Sequence, residues 1–398
     1  MGSSPQAKPA AITGYAAVNA MGRGTAEVLA SLDAGRSGLA PPRFPLPIDT
    51  VVGAIPGELP PLPDAVAGYD TRIARIGFMA LADVRDALDR ALVRWGKRRV
   101  AILLGTSTGG LDATEVGYRA WAETGALPPT YRLETRHDFN AVGTAIGKVT
   151  GAAGPIYVIS TACSSSGKVH ASAMRLMRAG VIDAALVGGV DSLCRMTLHG
   201  FRGLGILDTQ RCRPFDRARA GINIGEGGAL MLLERDPSLS DVHVLGVGES
   251  SDAYNMSSPE PTGRGAREAM GRALALAGIT PGDVDLLLAH GTATPQNDTA
   301  ESAAIEMALG TSVPVVSTKA FTGHQLGGAG ATSAVFAVHA VRTGRVPANL
   351  GLTELDPAVR VNVAKDAVTR RVDRVLANAF AFGGSNVCLA IGRARGDA

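Results

Sequence analysis

Short apolar runs recur along the chain, at residues 100–104, 156–159, 184–187, 284–289, 313–316 and 375–378. Ala- and Leu-rich stretches with helical spacing separate them. Runs this short and this continuously apolar suit strands covered on both faces, and their alternation with helices predicts an α/β fold around a buried sheet. Residues 41–63 are dense in proline and predict an irregular excursion rather than core. Asp236-Pro237-Ser238-Leu239-Ser240-Asp241 reads as a linker, with a new strand expected over 242–251.

The two sides of that linker echo each other. Residues 100–108 and 286–294 are both apolar strands that end in Gly-Thr-small-Thr. Val158-Ile159-Ser160-Thr161 matches Val315-Val316-Ser317-Thr318, each followed by a turn and a helical stretch (168–177 and 329–341). Residues 183–191 and 374–386 both run from a strand into a Gly-Gly turn. Three matches in one order predict an internal duplication. The expected halves are 1–240, with cap insertions, and 241–398, and the loops after equivalent strands should converge on one site.

Composition narrows the classes. A length of 398 residues allows a large core, and 50 glycines with few aromatics suit tight strand–turn–helix packing. A net charge of +3 argues against nucleic acid as the main partner. No apolar run approaches a membrane span, and the first eleven residues hold one lysine and no apolar core, so no membrane partner and no signal are expected. Four cysteines without a CxxC pair read as reduced thiols, which suggests the cytoplasm. No metal constellation and no phosphate-binding glycine loop is present, so no cofactor is expected.

Cys163 stands out. An apolar run ends at Ile159, small residues make a turn, and a helical pattern begins. A thiol at a helix N-terminus meets unpaired N–H groups and the positive end of the dipole, which favour the nucleophilic thiolate. If the halves pair about a pseudo-twofold, the loops bearing His290 and His324 meet that of Cys163. Both histidines sit at strand-end loops beside glycine. His137, His170, His199, His243 and His339 read as structural.

Five blocks carry a family resemblance: Thr161-Ala162-Cys163-Ser164-Ser165; Pro214-Phe215-Asp216 with Gly225-Glu226-Gly227; His290-Gly291-Thr292-Ala293-Thr294-Pro295 with Asp298 and Glu301; Ser317-Thr318-Lys319 with Thr322-Gly323-His324; and residues 378–386, Asn-Ala-Phe-Ala-Phe-Gly-Gly-Ser-Asn. In order and spacing they resemble a β-ketoacyl-acyl-carrier-protein synthase of the elongating type, over almost the whole chain. The resemblance implies a thiolase-like fold with layers α-β-α-β-α, and a dimer, either of identical chains or with a chain-length-factor-like ketosynthase. It also implies acyl carrier protein as partner.

The implied chemistry is acyl transfer to Cys163, then decarboxylative condensation with malonyl-carrier protein. His290 and His324 would donate through Nε2 to the enolate oxygen, and the backbone N–H groups of Cys163 and Phe382 would hold the tetrahedral oxyanion. Lys319, otherwise a surface lysine, would be buried and paired with Glu301. Thr292 and Thr294 would bond the pantetheine arm unless they are ordinary strand-end hydroxyls. Asp298 would cap the following helix or support Glu301. Phe382 would gate the acyl pocket, with Gly383 and Gly384 letting its loop move and Phe380 packing beside it.

Two departures from the family pattern appear. Ala220 stands where an acidic residue is usual, which suggests a changed surface salt bridge. Thr108 stands where synthase II enzymes place an apolar residue in the acyl pocket, so a conjugated, aryl-capped or oxygenated chain is expected. Residues 221–226 and 250–257 look similar to synthases of aryl-polyene clusters. Basic residues should dock the acidic carrier: Arg72, Arg75 and Arg202, and less so residues 97–99. Alternatives are a housekeeping fatty-acid synthase II, a thiolase or synthase III (which would use Cys–His–Asn), and a non-catalytic chain-length-factor-like partner, which would generally lack the cysteine.

Overall fold

The computed structural model describes residues 8–394. In chain order the N-terminal part holds β1 (Ala10–Asn19), α1 (Thr25–Asp33), α2 (Arg72–Trp95), β2 (Val100–Gly105), α3 (Leu111–Thr124), α4 (Leu133–Arg136), α5 (Ala141–Thr150), β3 (Ile156–Ile159), α6 (Ser165–Arg178), β4 (Ala184–Asp191), α7 (Arg195–Gly203) and β5 (Gly227–Glu234). The C-terminal part holds β6 (His243–Ser251), α8 (Arg264–Ala277), β7 (Leu286–Leu288), α9 (Pro295–Leu309), β8 (Pro314–Val316), α10 (Lys319–Thr322), α11 (Ala329–Thr343), β9 (Arg345–Val346), β10 (Asn362–Val363), β11 (Val368–Thr369), β12 (Arg374–Phe380) and β13 (Ser385–Gly392).

The strand pairing repeats. In the first part β3, β2 and β4 run parallel, then β5 and β1 follow antiparallel. In the second part β8, β7 and β12 run parallel, then β13 and β6 follow antiparallel. The equivalences are those that the sequence echoes suggest: β2 with β7, β3 with β8, β4 with β12. The two sets touch through Ala10–Val244 and Ala11–His243, which makes one sheet of eleven strands, with β10 added at the far edge.

Alternate strand positions face opposite sides, and the cores sort accordingly. Ile102, Leu104 and Leu186 face α2 and α5. Leu103 and Val187, together with Leu286 and Leu288 of the other half, face a shared core built on α6 and α11. Leu287, Val315 and Leu376 face α8 and α9. The layers are therefore α-β-α-β-α, and the nucleophile's helix lies in the middle one. Helix α11 is buried at every position from Gly330 to Val341, which its apolar sequence allows.

One expectation needs correcting. The proline-dense stretch is irregular, but it buries Ile48, Val52, Ile55, Leu59 and Leu62 and contributes to two apolar clusters. Proline fixes its backbone without a sheet, and its side chains still pack.

Candidate active site

The loops after β3, β7 and β8 meet at one cavity of about 210 Å³, lined by Cys163, His290, Thr292, Thr294, His324, Phe380 and Phe382 among others. Helix α6 begins at Ser165, so Cys163 sits just ahead of its N-terminus. Gly105 ends β2 against this start. A Cβ there would collide with the Ser166 backbone nitrogen, so only glycine lets the strand approach the nucleophile's turn. The site loops are strained: Ala162 before Cys163, Ala293 after His290 and Leu326 after His324 have φ of +50°, +65° and +49°. Each costs roughly 1–2 kcal/mol that surrounding packing must offset.

Sγ of Cys163 lies 2.9 Å from His324 Nε2. The His290 ring stands edge-on to that of His324, centroids 5.3 Å apart, and Phe380 packs on His290 at 5.8 Å. Burial pushes the Cys163 thiol up to about 12, although Lys319 and the backbone N–H groups of Cys163 and Phe382 pull it down. The helix terminus favours the thiolate, as expected, but desolvation opposes it more strongly. His324 is the base within reach. Both imidazoles are held well below their usual range, by burial first and by the Lys319 charge second. Both are neutral at pH 7.

Lys319 is buried, and its Nζ donates to the His290 carbonyl and lies 3.5 Å from His290 Nδ1. An ammonium only donates, so Nδ1 accepts and the proton of neutral His290 sits on Nε2. Glu301 accepts from the His290 and Gly291 backbone N–H groups at 2.8 and 2.7 Å and from Asn378 at 3.1 Å. The expected direct Lys319–Glu301 pair is absent. The two grip His290 from different sides, and their charges couple through space. Asp298 does not cap α9, whose N-cap is Thr294; it accepts from the Phe215 and Ala293 N–H groups.

Thr292 and Thr294 face the cavity and bond each other at 2.9 Å. Phe382 is 37 % exposed and stacks on Phe201 of α7, centroids 5.8 Å apart. Gly383 and Gly384 take φ of +82° and +76° behind it, and Gly383 N–H bonds the Met256 carbonyl. Thr108 does not line this cavity. It is buried, and its hydroxyl donates to Asp191 at 2.6 Å, so it does not present a polar wall beside Cys163.

The proposed docking arginines separate. Arg72 is bound to the fully buried carboxylate of Glu226 and Arg75 to Asp70, and both line a different cavity, of about 640 Å³, beside α3. Their charges are compensated, which argues against carrier docking. Arg202 is exposed, follows the cavity-lining Phe201 in sequence, and donates to the Pro47 carbonyl. Ala220 is exposed, as a changed surface contact requires. Phe201 and Asp191 escaped the sequence reading: an aromatic on a helix and an acid at a strand end carry no signal until their neighbours are known.

Comparison with known proteins agrees with this geometry. Residues 7–238 match the family model for the N-terminal domain of beta-ketoacyl synthases, and residues 242–353 that for the C-terminal domain. Nodulation protein E of Rhizobium meliloti (strain 1021) is 30% identical over 395 residues, covering 95% of this chain and 98% of that protein. 3-Oxoacyl-[acyl-carrier-protein] synthase 2 of Mycobacterium bovis is 32% identical over 311 residues, 74% of this chain and 75% of that protein. The ketosynthase structure ApeO, solved with its chain length factor ApeC from Xenorhabdus doucetiae, superimposes with a TM-score of 0.92 at 34% identity, covering 99% of this chain and 100% of that one.

Proposed function

The chain belongs to the β-ketoacyl synthase family of acyltransferases, and on that premise we propose that it extends a carrier-bound acyl chain by two carbons. The observation that carries the reading is the buried contact of Cys163 Sγ with His324 Nε2, with His290 beside it in one cavity. A non-catalytic partner subunit has no use for this set.

Cys163 gives its proton to His324 Nε2, and the sulfur attacks the acyl thioester of the carrier. The carrier's pantetheine sulfur leaves and takes the proton from His324, which returns to neutral, and the acyl group stays on Cys163. Malonyl-carrier protein then loses CO₂. The negative charge appears on the thioester oxygen, where His290 Nε2–H donates; His324, neutral again and shifted to its Nε2–H tautomer, donates beside it. The enolate carbon attacks the acyl carbonyl, the Cys163 and Phe382 N–H groups hold the oxyanion, and the Cys163 sulfur leaves as a thiolate that takes up a proton from solvent. Substrates alone supply this chemistry, so no cofactor is called for. Thr292 and Thr294 would steady the pantetheine arm, and Phe382 would gate the acyl side.

The reading includes two halves, 1–240 and 241–398, which the strand repeat supports. It also includes acyl carrier protein as partner and a second ketosynthase-like subunit, supported by the ApeO–ApeC complex. The substrate is proposed to be an unsaturated or aryl-capped chain of the aryl-polyene kind, supported by that likeness and by the Phe201–Phe382 stack at the cavity; Thr108 lends it no support. Purified enzyme should be offered saturated and aryl-polyenoyl carriers and the acyl group on Cys163 read by mass spectrometry. Preferential trapping of the saturated set sinks the substrate class, and no acyl group on Cys163 sinks the function.

A further inference from the structure

Asp191 ends β4 without any exposed surface, and the mechanism above does not use it. Its Oδ1 accepts from the Thr106 hydroxyl at 2.6 Å, the Thr108 hydroxyl at 2.6 Å, and the Ser107 and Thr108 N–H groups at 3.0 and 2.8 Å. Its Oδ2 accepts from the Ser107 hydroxyl and the Gly328 N–H, both at 3.2 Å. Two of those hydroxyls have their direction set. Ser107 Oγ receives the Gly327 N–H at 2.8 Å and Thr106 Oγ1 the Gly109 N–H at 3.1 Å, so each turns its own hydrogen to the carboxylate. Backbone N–H groups cannot accept. Burial raises the Asp191 carboxyl above its usual range, and the converging Thr106, Thr108 and Ser107 donors pull it back toward the anion, the form that all of them favour.

The same bonds form a strut. The Gly327 and Gly328 N–H groups belong to the turn that follows His324, and Ser107 and Thr108 to the turn that follows β2. Leu326, between His324 and Gly327, is held at a left-handed φ. A Cβ at Gly327 would sit 2.8 Å from both Asp191 Oδ2 and the Ser107 nitrogen, so the approach has no slack. The charged and titratable groups around the Cys163 sulfur are His324 in contact with it, His290 against the His324 ring, Lys319 as the cation and Asp191 as the anion.

We propose that Asp191 is a positioning residue of this site: it locks the turn behind His324 to the turn behind β2, and so holds His324 against the Cys163 sulfur. Its buried charge adds to the burial that favours the protonated thiol. The proposal rests on Cys163 being the nucleophile. It assigns Thr108 its role: the hydroxyl steadies an anion in the site's frame instead of lining the acyl path.

The test follows iodoacetamide alkylation of Cys163 against pH, by mass spectrometry of its peptide, beside steady-state condensation. In Asp191→Asn the profile should move about one unit to lower pH, with alkylation at pH 7 about tenfold faster. Asp191→Glu keeps the charge, so its profile should stay with wild type while kcat falls and KM for the carrier does not. A folded Asp191→Asn with the wild-type profile overturns the proposal. Should Asp191→Asn fail to fold, Ser107→Ala cuts the link to Gly327. It must lower kcat at least about tenfold with KM unmoved, and a wild-type kcat overturns the strut. Alkylation needs no acyl substrate, so a wild-type enzyme that fails to condense would count against the proposed function and leave this test standing.

Discussion

Desolvation and hydrogen bonding act against each other on Cys163. Burial lifts the thiol to about 12, and the contact with His324 supplies the route by which its proton leaves. Alkylation of the wild type should therefore keep rising above pH 9, where an unperturbed thiol levels off. A plateau near pH 8.5 would show a freely ionising cysteine. The histidines divide the later work. His290 is fixed as a donor by Lys319, so Lys319→Met should cut decarboxylation about 10²–10³-fold while Cys163 still accepts an acyl group. Burst loading measured apart from CO₂ release checks this, and equal loss of both steps would assign Lys319 a general structural role. Because both imidazoles are already neutral, their depressed ionisation leaves activity unaffected as pH falls through 6.5; loss sets in well below it.

Helix α6 carries the nucleophile, and what surrounds it is correspondingly intolerant. Gly105→Ala would press a methyl into the Ser166 backbone. Overpacking of this kind costs about 1–3 kcal/mol, and here it also displaces the Cys163 turn. A variant with wild-type melting temperature and rate would show that the approach has slack. His170, on the same helix, is fully buried; Nδ1 bonds the Ser166 carbonyl and Nε2 has no partner among the described residues. Burial lowers it from 6.5 to about 4, so the fold holds it neutral. Its contribution is complete above pH 6.5 and is lost as pH falls from 6.5 toward 4, by about 3 kcal/mol in all. Asp298, raised by burial to about 6, works in the opposite sense over 3.8 to 6. Urea unfolding of wild type and His170→Gln at pH 7.5 and 4.5 isolates the histidine: the variant should lose less stability on acidification. Equal losses would mean that other groups govern acid sensitivity.

Across the molecule, duplication explains why one cysteine and two histidines from distant positions converge. Each half places its functional loops beyond the ends of equivalent parallel strands, and α6 and α11 bring the halves together face to face. At the outer edge of the first half, β3 is half-buried at all four positions and pairs on one side only, with β2. The strand presents Tyr157, Val158 and Ile159 there, all partly exposed. A free apolar edge strand invites pairing, so a subunit interface is expected there. Tyr157→Glu on that strand should shift the assembly toward monomer in sedimentation, and an unchanged distribution would move the interface elsewhere.

The sequence by itself determined the buried strands, because parallel strands covered on both faces read as continuous apolar runs. It determined the repeat, because equivalent strands keep equivalent turn residues, and the Cys163, His290 and His324 loops, because chemistry needs those residue types beside glycine. Only the tertiary structure decided the partners of charged and hydroxyl groups. Arg72 turned to Glu226, Thr108 to Asp191, and Lys319 to His290 rather than Glu301. It also decided that burial, not the helix dipole, governs the thiol. The physical reason is common to all of these. Apolar burial is nearly non-directional and leaves a local pattern, whereas a hydrogen bond or a pKa depends on which atom stands within a few ångströms, and that atom arrives from anywhere along the chain.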